Sequence, residues 1–120
     1  LEFTRFTAGP SWIEEYGDPA VAADREVLAR WSPLQNLREG VAYPPTLFVG
    51  NRNDDRVHPA HARKMVARMR ALGHAQSWLY EETSGGHLGR ATPQLLATRE
   101  ALLHTFLMGM LQRNAAEPAA

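Results

Sequence analysis

Two short stretches carry the residue types that acid–base chemistry needs. The first is Asp54-Asp55-Arg56-Val57-His58-Pro59, an acidic turn that follows the apolar run Thr46-Leu47-Phe48-Val49 and restarts at a proline. The second is Ser84-Gly85-Gly86-His87, which follows Ser77-Trp78-Leu79-Tyr80-Glu81-Glu82-Thr83. A carboxylate beside an imidazole fixes its tautomer through the Nδ1 proton. It also stabilises the imidazolium that forms when the other nitrogen accepts a nucleophile's proton. Asp54 or Asp55 with His87 supplies the residue types for such a pair.

For the pair to form, the elements around it must bring two distant loops together. Thr46–Val49 is short, continuous and apolar, the pattern of a strand buried on both faces of a parallel sheet, and Tyr43-Pro44-Pro45 is its extended lead-in. From Pro59 to Leu72 the residues Ala62, Met65, Val66, Met69 and Leu72 recur at helical spacing, with Arg63, Lys64, Arg68 and Arg70 largely between them. Gly73 is placed to terminate that helix, and residues 76–83 read as a second strand. Strand, helix, strand is a βαβ unit, so both strands point the same way. The loops 50–58 and 84–91 then leave the same carboxyl edge, where open α/β sheets place their ligands. Neighbouring strands lie only about 5 Å apart, close enough for an aspartate of the first loop to reach His87. Gly85 and Gly86 let the histidine loop take a tight path.

The remaining chain frames this unit. Ser11-Trp12-Ile13-Glu14 has capping-box spacing and predicts a short helical turn ending at Gly17. Asp18 and Pro19 predict the start of a second helix, with Val21, Val27, Leu28 and Trp31 as its apolar contacts and Ser32-Pro33 as its stop. Ser32–Leu37 reads as irregular or 3₁₀ structure. Thr92-Pro93 starts a final helix with a broad apolar face from Leu95 to Met110, and an Ala/Pro/Glu tail follows Arg113. The expected organisation is one α/β domain over residues 1–113, a short parallel sheet flanked by helices, with a disordered tail at 114–120.

Composition excludes several functions. Thirteen Lys and Arg balance thirteen Asp and Glu, so neither a nucleic acid nor an anionic membrane is an expected partner, since both reward a basic surface. With no cysteine there is no disulfide framework, no thiol nucleophile and no Cys-based zinc site, and the compartment stays open between cytoplasm and periplasm. His58-Pro59-Ala60-His61 has metal-like spacing but no evident third ligand, so no metal or other cofactor is expected. No signal-like segment opens the chain, and Arg99 and Glu100 interrupt its longest apolar stretch, as expected of a soluble protein. The first residue is Leu1, which predicts an excised or truncated chain.

The order acid then histidine matches the second and third members of an α/β-hydrolase triad. There is no Gly-x-Ser-x-Gly elbow, and none of Ser11, Ser32, Ser77 or Ser84 falls on a strand-to-helix turn. Several further motifs stand in register with the two loops: Trp12-Ile13-Glu14-Glu15-Tyr16-Gly17-Asp18-Pro19, Ser32-Pro33-Leu34-Gln35-Asn36-Leu37 and Tyr43-Pro44-Pro45-Thr46. Together with Asp54-Asp55-Arg56-Val57-His58-Pro59 and Gly85-Gly86-His87, the chain from about Arg5 to Leu111 resembles the C-terminal end of the prolyl oligopeptidase family of serine peptidases.

That resemblance implies the C-terminal portion of an α/β-hydrolase fold, with Asp54 as triad acid and His87 as general base. It implies Arg56 as the arginine that hydrogen-bonds a backbone carbonyl of the peptide substrate. The family's nucleophilic serine would lie before Leu1, so the isolated chain is expected to be inactive. Each residue also has a plainer reading: a helix-entry turn for the Asp-Asp pair, a loop histidine, and an arginine paired with Asp54 or Glu82. The alternative to a peptidase part is a non-catalytic fragment that self-associates into a homo-oligomer, because two strands leave an unpaired edge and exposed apolar faces.

Overall fold

The computed structural model describes residues 1–88 and 92–116, in two compact units, Leu1–Gly89 and Arg90–Ala120. The first unit opens with two 3₁₀ turns, Phe3–Arg5 and Gly9–Trp12. Helices α1 (Ile13–Tyr16), α2 (Ala22–Trp31) and α3 (Pro33–Asn36) follow. Strand β1 (Thr46–Asn51), helix α4 (Ala60–Ala71) and strand β2 (Ser77–Glu82) complete it. The second unit is helix α5 (Pro93–Ala116). No helix among the described residues is long and apolar enough to cross a membrane.

The strand–helix–strand order yields a parallel pair in register from Thr46 opposite Ser77 to Asn51 opposite Glu82. Helix α4 packs on both strands and buries Val66 and Met69. Its end is a complete Schellman motif. Gly73, at φ +85°, donates its amide to Arg70, and the amide of His74 reaches back to the Met69 carbonyl at 3.0 Å. The turn into β2 is then locked by polar bonds. Ser77 is fully buried, its hydroxyl donates to the His74 carbonyl at 3.0 Å, and its own carbonyl accepts two bonds from the Arg70 guanidinium. These bonds satisfy groups that burial would otherwise penalise.

Several local expectations are corrected. Ser11 does not cap a helix through Glu14; its hydroxyl donates to the Ala8 carbonyl at 2.6 Å, because the chain already turns at Gly9. Helix α2 starts at Ala22 rather than after Asp18. Asp18 instead receives the Ala20 amide in a local turn, and its own amide donates to Asp24 at 2.9 Å. Of the four apolar contacts expected on that helix, Leu28 is buried at 2% exposure while Val27 and Trp31 stay more than half exposed. Ser32–Leu37, expected as irregular or 3₁₀, contains the α-helical turn α3. Strand β1 is not buried on both faces: only Asn51 is buried and Val49 is exposed, as a sheet of two strands with one covering helix dictates.

In α5 the Thr92 hydroxyl accepts the Leu95 amide at 3.3 Å, an N-cap that leaves Pro93 harmlessly at the first position. Of the loop read at 84–91, Gly89, Arg90 and Ala91 lie outside the described residues. Of the tail read at 114–120, residues 114–116 continue α5 and 117–120 lie outside the described residues.

Candidate active site

Because Asn51 and Glu82 are opposite each other in the register, the two chains leave the sheet side by side. One more main-chain rung follows, from the Arg52 amide to the Glu82 carbonyl at 2.8 Å. The first chain then turns on Asp54. Its Oδ1 accepts the amides of Arg56 at 3.0 Å and Val57 at 2.7 Å, an Asx-type turn in which the side chain replaces a backbone acceptor.

The turn leaves Oδ2 available, and Nδ1 of His87 lies 3.0 Å from it and 3.2 Å from Oδ1. His87 reaches this position through Gly85, whose φ of +85° lies in the left-handed region. Gly86 is not in that region, and a Cβ there would meet only ordinary contacts, 3.6 Å to Asp55 Oδ1 and 3.7 Å to the Asn53 carbonyl. Of the two glycines, only Gly85 is demanded by backbone conformation.

Electrostatics fix the proton on the pair. Desolvation pushes the Asp54 carboxyl up, but the bond from His87 and the amides of Val57 and Arg56 outweigh it and hold the group below the usual carboxylate value. Asp54 is therefore a carboxylate at neutral pH, and a carboxylate accepts but cannot donate. A neutral His87 must then carry its proton on Nδ1, which leaves the Nε2 lone pair as a base. Nε2 bonds to no described residue, and the side chain is 32% exposed against 14% for Asp54. The arrangement can orient an imidazole, accept a proton at Nε2 and stabilise the imidazolium formed.

The sequence-read residues fare differently. Asp54 and His87 are brought together. Asp55 is exposed beside the pair. Arg56 is on the same loop and exposed, and its backbone amide donates to Asp54 Oδ1 at 3.0 Å. His58 and His61 flank the ring of Phe6, stacked at 4.8 Å and edge-on at 5.6 Å respectively. Burial, together with His58 and Lys64, pushes the His61 imidazole below its usual value. Among the described residues no three His, Asp or Glu converge as a metal site.

None of the four serines is bonded to His87. The hydroxyls of Ser11 and Ser77 donate to the carbonyls of Ala8 and His74, and that of Ser32 to Gln35. Ser84 sits on the histidine loop and gives its carbonyl to Asn51. An apolar cavity of about 560 Å³ lies away from the pair, with Phe3, Phe6, Trp12, Trp31, Phe48 and Met65 in its wall.

Four residues that sequence reasoning passed over also shape the site. Thr7 donates its hydroxyl to the Arg56 carbonyl at 3.0 Å, and Phe6 beside it stacks on His58, so the N-terminal segment braces the acid loop. Asn51 and Asn53 tie that loop to the histidine loop. For the asparagines a signal was legible: an Asn-x-Asn at a strand end, next to the acid, offers amides able to bond across a gap. Phe6 and Thr7 lie too far away in sequence for any local pattern to link them to Asp54.

Residues 2–113 match the model of the prolyl oligopeptidase family. An uncharacterized peptidase, y4nA, of Sinorhizobium fredii (strain NBRC 101917 / NGR234) is 40% identical over 114 residues, covering 95% of this chain and 16% of that protein. A prolyl endopeptidase of Elizabethkingia meningoseptica is 34% identical over 114 residues, covering 92% of this chain and 16% of that protein. A solved structure from a structural and mechanistic study of two prolyl endopeptidases superposes with a TM-score of 0.88 at 32% identity, over 93% of this chain and 17% of that one. The chain thus spans about a sixth of the length of the curated relatives it matches, and its fold is the C-terminal part of an α/β-hydrolase catalytic domain.

Proposed function

Because the chain belongs to the prolyl oligopeptidase family, we propose that it supplies the acid and the base of a serine peptidase site, with Asp54 as orienting carboxylate and His87 as general base. The observation that carries this reading is the 3.0 Å contact between His87 Nδ1 and Asp54 Oδ2, made between two loops that leave adjacent parallel strands. The nucleophile is a serine outside these 120 residues. His87 Nε2 takes its proton as the oxygen attacks a peptide carbonyl, and the imidazolium, held by Asp54, returns that proton to the departing amine. Water then resolves the acyl-enzyme with His87 again as base. The Elizabethkingia relative is a prolyl endopeptidase, and cleavage after proline is the specificity we assign here. Arg56, exposed on the same loop, donates its guanidinium to a substrate carbonyl.

On this reading the 120-residue chain by itself neither hydrolyses a proline-linked chromogenic peptide nor takes a fluorophosphonate label. Stoichiometric labelling of Ser11, Ser32, Ser77 or Ser84 would overturn it.

A second, non-catalytic behaviour is favoured by the two-stranded sheet. The edge of β1 away from β2 carries no strand among the described residues, and Leu107 and Leu111 on α5 are more than half exposed. We propose that the isolated chain self-associates through such surfaces.

A further inference from the structure

We propose that Asn51 and Asn53 are positioning residues whose carboxamides set the Asp54–His87 hydrogen bond, an inference that rests on reading that pair as the acid and base of the site. The main-chain ladder between the two strands ends at the rung from Arg52 to Glu82. Beyond it, the hydrogen bonds that join the two loops among the described residues are side-chain bonds: those of Asn51 and Asn53, and the contact of His87 with Asp54 itself.

Asn51 works in both directions. Its Nδ2 donates to the Ser84 carbonyl on the histidine loop at 2.5 Å, and its Oδ1 accepts the Asn53 amide on the acid loop at 2.8 Å. The side chain is buried, with the residue only 6% exposed, and one amide orientation alone matches a carbonyl on one side and an N–H on the other. Asn53 adds a second strut, its Nδ2 donating to the Thr83 carbonyl at 3.0 Å.

These struts sit next to the chemistry. Asn53 immediately precedes Asp54, and Ser84 opens the Ser84-Gly85-Gly86-His87 turn. Gly85 gives the histidine loop a special conformation, but nothing in a glycine fixes its distance to the acid loop. The carboxamides supply that distance. Without them the exposed imidazole–carboxylate contact would have to hold two loops together against their own conformational freedom, which a partly solvated bond does poorly. A merely buried, satisfied asparagine would need only one loop; here each amide spans the gap.

The test is ¹⁵N NMR of the histidine rings in the 120-residue chain, in mildly alkaline solution, comparing wild type with Asn51→Ala, Asn53→Ala and Asp54→Asn. In the wild type His87 is held as the Nδ1–H tautomer. Asn53→Ala lowers the ratio of Nδ1–H to Nε2–H about tenfold, the factor commanded by a lost charge-assisted hydrogen bond, and Asn51→Ala lowers it at least as far. Asn53 is exposed, so its variant keeps a dispersed amide spectrum, and Asn53→Ser stands in if the alanine does not. If both asparagine variants lose thermal stability yet keep the wild-type ratio while Asp54→Asn loses it, the asparagines are structural only and the proposal fails. If Asp54→Asn also keeps the wild-type ratio, the failure lies with the acid–base pair itself.

Discussion

Nδ1 of His87 and Oδ2 of Asp54 lie 3.0 Å apart although 33 positions separate the residues in the chain. The register of two parallel strands accounts for most of that approach, since Asn51 opposite Glu82 releases both loops at one edge. An Asx-type turn at Asp54 and one left-handed glycine, Gly85, shape the two loops, and the side-chain bonds of Asn51 and Asn53 join them. Each of these causes gives a measurable consequence.

Asp54 makes stability depend on acid. Its folded-state value lies below the ordinary 3.8, so its stabilisation is complete above about pH 5 and is lost as the pH falls through the folded value. In urea unfolding across pH 2–7, about the range over which carboxylates titrate, Asp54→Asn is less stable than wild type at neutral pH. The difference shrinks toward zero in acid; a constant difference contradicts an ionised, bonded Asp54.

Gly85 and Gly86 are not equivalent. An alanine at Gly85 must occupy the left-handed region, at a cost of about 1–2 kcal/mol. Gly86→Ala meets only ordinary contacts and stays within about 0.5 kcal/mol of wild type. Thermal unfolding of the two variants checks the contrast, and equal losses would contradict the backbone assignment.

The helical core is similarly uneven. Met69→Ala and Leu28→Ala empty buried positions, at 3% and 2% exposure, and each costs about 2–5 kcal/mol. Val27→Ala, on the exposed side of the same helix as Leu28, costs no more than about 0.5 kcal/mol. Chemical denaturation of the three variants measures these costs, and a Val27 loss as large as that of Leu28 would mean that α2 buries a second face.

Sequence reasoning was strong where one local pattern decides. The apolar run into Asp54, the helical spacing through Met69 and the Gly73 terminator all describe single elements; their order brought Asp54 or Asp55 toward His87, and the choice of Asp54 came from the family resemblance. It was weak where distant segments compete. Ser11 lost its cap to a turn begun at Gly9, and Asp18 gave its place at a helix start to a turn tied to Asp24. The reading of Thr46–Val49 as buried on both faces assumed a wide sheet, whereas two strands leave Val49 exposed. Thr7 and Phe6 reach the acid loop through tertiary contacts that no short pattern encodes.

The proposed self-association would use the β1 edge that carries no strand among the described residues and the exposed apolar side chains of α5. Size-exclusion chromatography with light scattering over a dilution series gives a mass above 13.4 kDa that falls toward it on dilution. A monomer at every concentration contradicts the proposal.

The most direct test places this chain in the context its chemistry requires. In a chimera, the 120 residues replace the matching part of the Elizabethkingia meningoseptica prolyl endopeptidase, and hydrolysis of a proline-linked chromogenic peptide is measured with and without His87→Ala. The account predicts an active chimera whose kcat falls by at least about 10⁴-fold on loss of His87. An active chimera indifferent to that substitution would contradict the assignment of His87 as the base.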